Sequence, residues 1–471
     1  MFFRQLLQSV ETRDGLWAWI VCFASFGLFF CVGGVRLTFG VLYIGLLESF
    51  TSDSNASIGQ ALNFSRNVTS DSTLSGDLAW VGSVSLLVGC SLAPLAVSFV
   101  AKVGARPMIF TSSILLISGL TLTSIATEIW HLFLTYSILV GIHVCVVYVV
   151  CWGVLPLYFQ KRRALAIGLA NSGRYVGMAV VGPISRITMA QYGWRKCLQL
   201  LCLLGIIMVI CGILYRPLKT PSKMNAGRNQ KNSLSIGQIV VKSIKLHRDP
   251  LLTFWLLMTA LLYTAYFVPS YHIVRHAEDN LKVSEERSGF LLTVMAVSAA
   301  VSTMTVGLIS DYFVLAFKIV LLQVLLLLAG ISTMLFSFYQ TFTLLTIYVM
   351  VYGVATGFTA LIPVIVAAVV SEEETTLAAG LASFYVSAAV IGPPIAGWMY
   401  DSSGTYNDSF FLFGLILVTA AVTISLHHVF ARLQVKSCER KQRTLPSQHN
   451  DDQEEKDILE FCVVMTKETT V

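Results

Sequence analysis

Residues 161–182 read KRRALAIGLANSGRYVGMAVVG, and this stretch combines the two features that decide the fold. Three basic residues, Lys161 to Arg163, precede a mostly apolar run in which Arg174 is the single charged side chain. A helix of about 20 apolar residues crosses the hydrocarbon core of a bilayer, and basic residues collect at its cytoplasmic end. The stretch therefore predicts a transmembrane helix that starts in the cytoplasm and carries Arg174 about 15 Å deep, near the midplane.

The whole chain has the composition of a membrane protein. Of its 471 residues 55% are hydrophobic and 12% are charged, the mean hydropathy is +0.73 and the net charge is +6. A soluble globular chain carries about 25% charged residues, so this composition excludes an ordinary cytosolic enzyme, a nucleic-acid-binding protein and a disordered scaffold. The ten cysteines follow neither a disulfide framework nor a zinc-binding spacing. We therefore predict no metal site and no cofactor.

Twelve stretches are long and apolar enough to cross a bilayer. They lie at about residues 17–45, 79–100, 107–127, 130–155, 164–190, 195–215, 251–274, 288–310, 317–338, 341–370, 376–400 and 409–431. The longest polar break, 216–250, has six stretches before it and six after it. We predict an all-α membrane protein with twelve transmembrane helices in two six-helix bundles and with both termini in the cytoplasm. The predicted segments are the cytoplasmic N-terminus 1–16, the bundle 17–215, the cytoplasmic linker 216–250, the bundle 251–431 and a disordered cytoplasmic tail 432–471.

Two signals support this orientation. Most of the 32 lysine and arginine residues fall in the segments that are cytoplasmic when the N-terminus is placed there. The chain also has four Asn-X-Ser/Thr acceptors, all of them in loops that this orientation puts outside. We predict a glycoprotein modified at Asn55, Asn63, Asn67 and Asn407.

The ionisable residues inside the predicted spans are all basic. No Asp or Glu falls well inside a span, whereas three arginines and two histidines do: Arg36, Arg174, Arg186, His143 and His272. Buried charge is costly in a membrane and usually marks a functional site, and arginine binds carboxylates bidentately. We predict that Arg36 and Arg174 bind the carboxylate of a solute, although a backbone carbonyl partner stays open for each. Arg186 is predicted to reach the membrane–water interface with its long side chain. His143 is predicted to be a packing residue, a second polar contact or a proton acceptor.

Two segments resemble the signatures of the monocarboxylate transporter family (solute carrier family 16) within the major facilitator superfamily. They are DGLWAW at residues 14–19 and YFQKRRALAIGLANSG at 158–173, which depart from the family patterns at Leu16 and Ser172. The resemblance implies the twelve-helix major facilitator fold. The residues that match the signatures are Asp14, Gly15, Trp17, Trp19, Tyr158, Phe159, Lys161, Arg162, Arg163, Gly168 and Gly173.

The resemblance leaves the branch of the family open. Lactate-type members carry an Asp and an Arg in the eighth of these stretches, 288–310, and those positions align here with Ala299 and Thr303. His272 matches a substrate-contacting histidine of the thyroid-hormone and aromatic amino acid branch, but the Arg and Asp of that branch align with Thr303 and Thr356. The resemblance therefore implies that His272 is an outer polar contact and that Thr303 and Thr356 are uncharged cavity lining.

The sequence as a whole predicts a secondary transporter of a small carboxylate-bearing solute in the plasma membrane, working by alternating access. A proton-independent facilitative carrier for aromatic amino acids, creatine or carnitine-like solutes is the alternative, and a channel or receptor is a remote one. Symport is implied by the resemblance, whereas the missing carboxylates predict weak dependence on a proton gradient. The expected partners are the solute, membrane lipids, a single-span immunoglobulin-like escort implied by the resemblance, and a PDZ protein at Thr469 and Val471. No nucleic acid partner is expected.

Overall fold

The computed structural model describes residues 14–36, 39–43, 45–46, 49–50, 69–215, 236–371 and 374–427. Within these residues the protein is helical throughout, with no strand. The glycosylation sites at Asn55, Asn63 and Asn67, and Thr469 and Val471 of the tail, lie outside the described residues. Those predictions therefore stay predictions, as does the one at Asn407, which is the half-buried first residue of the last helix.

Ten helices of the described chain are long and apolar enough to cross a membrane, and a bent pair, Trp80–Ser91 with Ala93–Val103, makes an eleventh span. One of the ten, Arg163–Leu214, has 52 residues, about 78 Å, which is more than twice the hydrocarbon thickness of a bilayer. Gly193 interrupts it with φ 79° and ψ 169°. Divided at this glycine, the described helices give the twelve spans that the sequence predicts.

In chain order the spans, numbered 1 to 12, have these bounds: Leu16–Arg36, Trp80–Ser91 with Ala93–Val103, Ala105–Ser124, Ile129–Tyr158, Arg163–Leu214 divided at Gly193 into spans 5 and 6, Pro250–Asp279, Arg287–Ser310, Leu315–Phe338, Phe342–Val369, Thr375–Tyr400 and Asn407–Ile424. Local chemistry explains some of these ends. Asp249 caps span 7 by accepting hydrogen bonds from the backbone N–H of Leu251 and Leu252, ahead of Pro250 in the first turn. Thr341 caps span 10 in the same way, because its hydroxyl oxygen accepts a hydrogen bond from the backbone N–H of Leu344.

The same pairs of spans pack against each other in both halves of the chain. Span 1 contacts spans 5 and 6, span 2 contacts span 4, and span 3 contacts spans 4 and 6. Six spans later, span 7 contacts spans 11 and 12, span 8 contacts span 10, and span 9 contacts spans 10 and 12. This repetition is typical of transporters built from duplicated halves. It supports the predicted bundles 17–215 and 251–431, whose bounds and cytoplasmic termini stay predictions.

The two halves meet along spans 5 and 8 and along spans 2 and 11. Spans 5 and 8 approach most closely at two glycines, because a Cβ on Gly168 would lie 2.5 Å from the Thr303 carbonyl oxygen. A Cβ on Gly307 would lie 2.7 Å from the Ala164 carbonyl oxygen. The signature residue Gly168 therefore lets the halves close against each other near the start of span 5. Gly173, also a signature residue, lies within one half instead, against the backbone of Phe26 in span 1.

Candidate functional site

Two buried arginines from different spans converge on one tyrosine hydroxyl. Arg36 at the end of span 1 donates from Nη1 to Tyr148 Oη at 3.3 Å, and Arg174 in span 5 donates from Nη1 to the same oxygen at 3.0 Å. The side chains of Arg36 and Arg174 are 4% and 2% exposed. Spans 1, 4 and 5 thus bring together in the interior the two arginines that the sequence predicts to bind a carboxylate, and that role stays a prediction.

These two positive charges have no carboxylate partner among the described residues. Arg36 Nε, Arg36 Nη2 and Arg174 Nε are buried and form no hydrogen bond. Arg174 Nη2 reaches only the hydroxyl of Tyr175, at 3.4 Å. A buried donor without a partner costs about 1–3 kcal/mol, and more when it is charged. Three such donors on two guanidinium groups make a place where a carboxylate would be bound strongly.

Aromatic rings supply part of the missing compensation. Arg36 Cζ lies 4.9 Å from the centroid of the Phe267 ring, which belongs to span 7 in the other half. Arg174 Cζ lies 5.0 Å from the ring of Tyr175 and 5.8 Å from that of Phe29. A cation over an aromatic face gains up to about 2 kcal/mol when it is desolvated, but the rings carry no charge. The site therefore stays positive and suited to an anion.

A chain of hydroxyl groups continues from Arg174 into the second half. Tyr175 Oη lies 2.6 Å from Tyr266 Oη in span 7 and 3.3 Å from Thr359 Oγ1 in span 10. Tyr352 in span 10 donates to the carbonyl oxygen of Tyr266 at 2.7 Å. The arginine pair is in this way connected through hydrogen bonds to spans 7 and 10 of the second half.

A small cavity lies at this junction between the halves. Its lining residues come from spans 5, 7, 8 and 10 and are Tyr175, Met178, Tyr266, Phe267, Ser270, Met295, Ala296, Ala299, Tyr352 and Thr356. Two of these spans are interrupted at the lining, span 7 at Phe267 and span 10 by the 3₁₀ turn Thr356–Ala360. Broken helices are typical of substrate sites in transporters. The space is about 20 Å³, room for a water molecule and too small for an organic acid.

On the side where span 5 begins, hydrogen bonds close the two halves together. Asp311 at the end of span 8 accepts from the backbone N–H of Ala164 and of Leu165, both at 2.8 Å. The first N–H groups of a helix have no partner within the helix itself, and a negative charge is favoured at this position. The pKa of Asp311 is raised above its ordinary value, because the effect of half-burial exceeds the lowering effect of the two N–H donors and of Lys318. Thr376 of span 11 adds a bond to the Gly153 carbonyl oxygen at 3.1 Å.

The two signature segments lie against each other on the same side. The carboxylate of Asp14 accepts from the backbone N–H of Gln160 and Lys161 at 3.1 Å and of Arg162 at 3.4 Å. Trp19 packs edge-on against Phe159, with ring centroids 5.1 Å apart. Asp14 thus organises the segment that leads into span 5, which agrees with a packing role for these residues rather than a solute contact.

The other residues predicted for the site are placed differently. His143 Nδ1 lies 2.9 Å from Ser112 Oγ of span 3, and His272 Nε2 donates to the Pro393 carbonyl oxygen at 2.9 Å. Each histidine is therefore bonded within its own half, and neither lines the cavity. Thr303 bonds the carbonyl oxygen of Ala299 in its own helix, whereas Thr356 does line the cavity.

Arg186 is not simply an interfacial side chain. It is half-buried at the outer part of span 5, and its guanidinium lies against Gly289 of span 8 in the other half. The sequence predicted that Arg186, near the outer end of span 5, reaches the membrane–water interface. Its contact with span 8 shows that it packs where the two halves meet at the end opposite to Asp311.

The tyrosines of the site were not predicted from the sequence. Four of them, Tyr148, Tyr175, Tyr266 and Tyr352, bond to the arginines, to each other or to the backbone between the halves. The available signal was a hydroxyl inside an apolar span, because a buried tyrosine usually finds a hydrogen-bond partner.

The chain matches a family model described as the Major Facilitator Superfamily over residues 19–389 and 276–451. It is 28% identical over 437 residues to monocarboxylate transporter 13 of Rattus norvegicus, covering 92% of this chain and 94% of the relative. Monocarboxylate transporter 12-B of Danio rerio is 24% identical over 463 residues, with 92% and 91% covered, and monocarboxylate transporter 9 of Pongo abelii is 24% identical over 502 residues, with 89% and 94% covered.

Two solved structures share the fold. The human organic anion transporter MFSD10 (TETRAN) superposes with a TM-score of 0.65 at 16% identity, over 86% of this chain and 99% of that one. A double tryptophan mutant of XylE superposes with a TM-score of 0.61 at 15% identity, over 85% and 94%. These relatives are membrane transporters rather than enzymes. The chain belongs to the Major Facilitator Superfamily and, within it, is a transporter of the monocarboxylate transporter family.

Proposed function

We propose that the protein carries a small carboxylate-bearing organic solute across the plasma membrane by alternating access. The observation that carries this proposal is the pair Arg36 and Arg174, two buried guanidinium groups with three unpaired donors and no described carboxylate partner. A carboxylate placed between them would accept hydrogen bonds from these donors and compensate their charge. The Tyr148 hydroxyl, which accepts from both arginines, holds their planes in position for it.

The hydrogen bonds around the site connect a carboxylate bound at the arginines with residues of both halves. Arg174 contacts Tyr175, and Tyr175 contacts Tyr266 and Thr359 across the junction. A solute that reorients Arg174 therefore acts directly on bonds that join the halves. The cavity of about 20 Å³ is a closed arrangement, so solute entry requires the halves to separate on one side. The contacts of Asp311 and of Arg186 are the ones that would break in turn.

The body of the solute is expected to be apolar or aromatic, or to carry a cationic group. Three aromatic rings, those of Tyr266, Phe267 and Tyr352, line the cavity. Neither arginine lines it, but Arg36 Cζ lies 4.9 Å from the centroid of the Phe267 ring. Aromatic faces accept apolar surface and cations alike. This lining favours the alternative solutes named from the sequence, aromatic amino acids, creatine and carnitine-like compounds, over a solute as small as lactate.

The test is uptake by the purified protein reconstituted into lipid vesicles. Radiolabelled lactate, pyruvate, aromatic amino acids, creatine and carnitine are offered one at a time, with an Arg174→Ala protein as the control. A carrier gives saturable uptake and counterflow for at least one carboxylate. Flux that rises linearly with concentration and shows no counterflow would indicate a channel. Saturable uptake of none of these carboxylates by a well-folded protein would overturn the proposal.

Tyr148→Phe is expected to weaken the apparent affinity for the solute by roughly 10- to 100-fold, because it removes an acceptor shared by two charged donors. Loss of the hydroxyl leaves both Nη1 groups unpaired and lets the arginines move. The concentration dependence of uptake measures the effect. Tyr348→Phe is the matched control, since its hydroxyl bonds Thr333 away from the arginines. An unchanged affinity in Tyr148→Phe would show that the tyrosine does not position the pair.

Asp311→Ala is expected to open the side of the protein at which span 5 begins, because both bonds from span 8 to Ala164 and Leu165 are lost. The readout is the alkylation rate of a cysteine introduced as Thr376→Cys, at the neighbouring contact between spans 11 and 4. Asp14→Ala is the control, because the Asp14 carboxylate accepts from the N–H groups of Gln160, Lys161 and Arg162, which belong to the same half as Asp14. We expect at least a tenfold faster reaction with Asp311→Ala only, from the loss of about 1.5–3 kcal/mol per charged bond. Equal rates in the two variants would contradict the assignment.

A further inference from the structure

A short helix, Ile236–Leu246, lies outside the twelve spans and directly before span 7. It contacts the Ala93–Val103 part of span 2 and the Thr375–Val386 part of span 11, which belong to different halves. Leu246 is buried at its end, and the next residue, His247, bonds Tyr385 Oη of span 11 at 3.1 Å. Because the helix ends four residues before span 7 begins at Pro250, it lies at the level of the membrane surface.

The face of this helix that is turned away from the protein is apolar. Val240, Val241 and Ile244 are 48%, 66% and 58% exposed. At about 100° per residue these three side chains share one stripe, roughly opposite to the buried Leu246. Apolar side chains in this position are unfavourable in water but are suited to the boundary between lipid headgroups and acyl chains.

Basic side chains flank the apolar stripe. Lys245 and Arg248 are exposed and Lys242 is half-buried. The charge continues in the sequence, because residues 216–248 contain eight lysine and arginine residues and no aspartate or glutamate. An apolar stripe with basic edges is the pattern of helices that lie in the plane of a membrane and attract anionic lipids. On the predicted orientation this helix lies on the cytoplasmic side, where such lipids are concentrated.

We propose that the helix Ile236–Leu246, together with Arg248, binds the headgroups of anionic phospholipids, with Val240, Val241 and Ile244 inserted in the interface. The complementary charge and the level of the helix select lipid as the occupant of this face. The helix also joins the two halves at spans 2 and 11, so a bound lipid acts where those halves separate. The proposal is independent of the solute, because none of these residues lines the cavity.

Spin labels on the full-length protein test the orientation of the stripe. The described native cysteines are buried apart from the half-buried Cys202, and Cys438 and Cys462 are replaced by serine, so an added exposed cysteine is labelled selectively. Labels at Val241→Cys and Ile244→Cys, in vesicles with phosphatidylserine as about a third of the lipid, are expected to be relaxed several-fold more by oxygen than by a water-soluble nickel chelate. A label at the exposed Gln238→Cys is expected to show the reverse.

Charge removal tests the choice of lipid. The apparent affinity of the protein for a fluorescent phosphatidylserine is expected to fall at least fivefold in the double variant Lys245→Gln with Arg248→Gln, an effect of roughly 1 kcal/mol. Affinity for the matching phosphatidylcholine is expected to stay unchanged. Lys196→Gln with Lys282→Gln removes the same charge from exposed positions on the opposite side and is the control.

Three outcomes would overturn the proposal. Labels at Val241 and Ile244 that are as accessible to the nickel chelate as the one at Gln238 would place the stripe in water. Labels shielded from both reagents would show that protein covers the stripe. An unchanged affinity for phosphatidylserine in the Lys245→Gln, Arg248→Gln protein would exclude these basic groups as headgroup ligands.

Discussion

Arg174→Ala is expected to reduce uptake of the transported solute to background. The substitution removes one of the two guanidinium groups that donate to the Tyr148 hydroxyl, together with the bonds from Arg174 to Tyr148 and Tyr175. Charged hydrogen bonds contribute about 1.5–3 kcal/mol each, so the loss of the two that Arg174 would donate to a bound carboxylate corresponds to at least 100-fold in affinity. Arg174→Lys keeps the charge but loses the planar fork, and an affinity roughly tenfold weaker is expected. Initial rates of uptake over a range of solute concentrations measure both effects.

Arg186→Ala is the matched control for that experiment. Arg186 lies on the same span but at its outer part, against Gly289 of span 8, and at most a several-fold change in rate is expected. The amount of protein in the vesicles and its elution as a single species show whether each variant is folded. Normal uptake by a well-folded Arg174→Ala protein would remove Arg174 from the site.

Much of the fold follows from the sequence because a bilayer imposes a simple requirement. Each crossing needs about 20 apolar residues, and the twelve predicted stretches coincide with the described spans. The differences come from local breaks that hydropathy does not report. Span 2 bends by 51° between Ser91 and Ala93, and spans 5 and 6 run on as one helix that turns at Gly193.

The arginine pair could be predicted because charge is rare in a membrane span, and the structure brings Arg36 and Arg174 together. Its partner Tyr148 could not, because the contact joins residues 112 positions apart and a tyrosine in an apolar run also fits simple packing. The resemblance indicated His272 as an outer polar contact, but its ring donates to the carbonyl oxygen of Pro393 within its own half. A sequence motif does not report such a contact between a side chain and the backbone of another span.

Uptake is expected to be nearly independent of a proton gradient and to be accelerated by solute on the opposite side of the membrane. Proton coupling requires a group in the cavity that binds and releases a proton. The residues that line the cavity include no aspartate, glutamate or histidine. The guanidinium groups stay protonated in proteins, and His143 and His272 are each bonded within one half. The described residues of the cavity therefore offer no proton acceptor to a carboxylate that would bind there.

The same charges favour exchange over net uptake. A carrier that returns without solute must close around two guanidinium groups that keep three unpaired donors. Leaving a buried charge without its partner costs about 3–5 kcal/mol, whereas a bound carboxylate compensates that charge during the return step. We expect vesicles preloaded with the solute to take up label at least tenfold faster than empty vesicles.

The measurement compares preloaded and empty vesicles at external values of about pH 6 and about pH 7.5, which bracket the range in which histidine titrates. A protonophore is added in half of the samples, and His143→Gln is the matched variant. Equal rates in preloaded and empty vesicles would contradict the exchange mechanism. Acid stimulation of several-fold that disappears with the protonophore and in His143→Gln would identify His143 as a proton acceptor. It would do so despite the bond from His143 to Ser112, and the bound carboxylate would then be the charge that makes its protonation favourable.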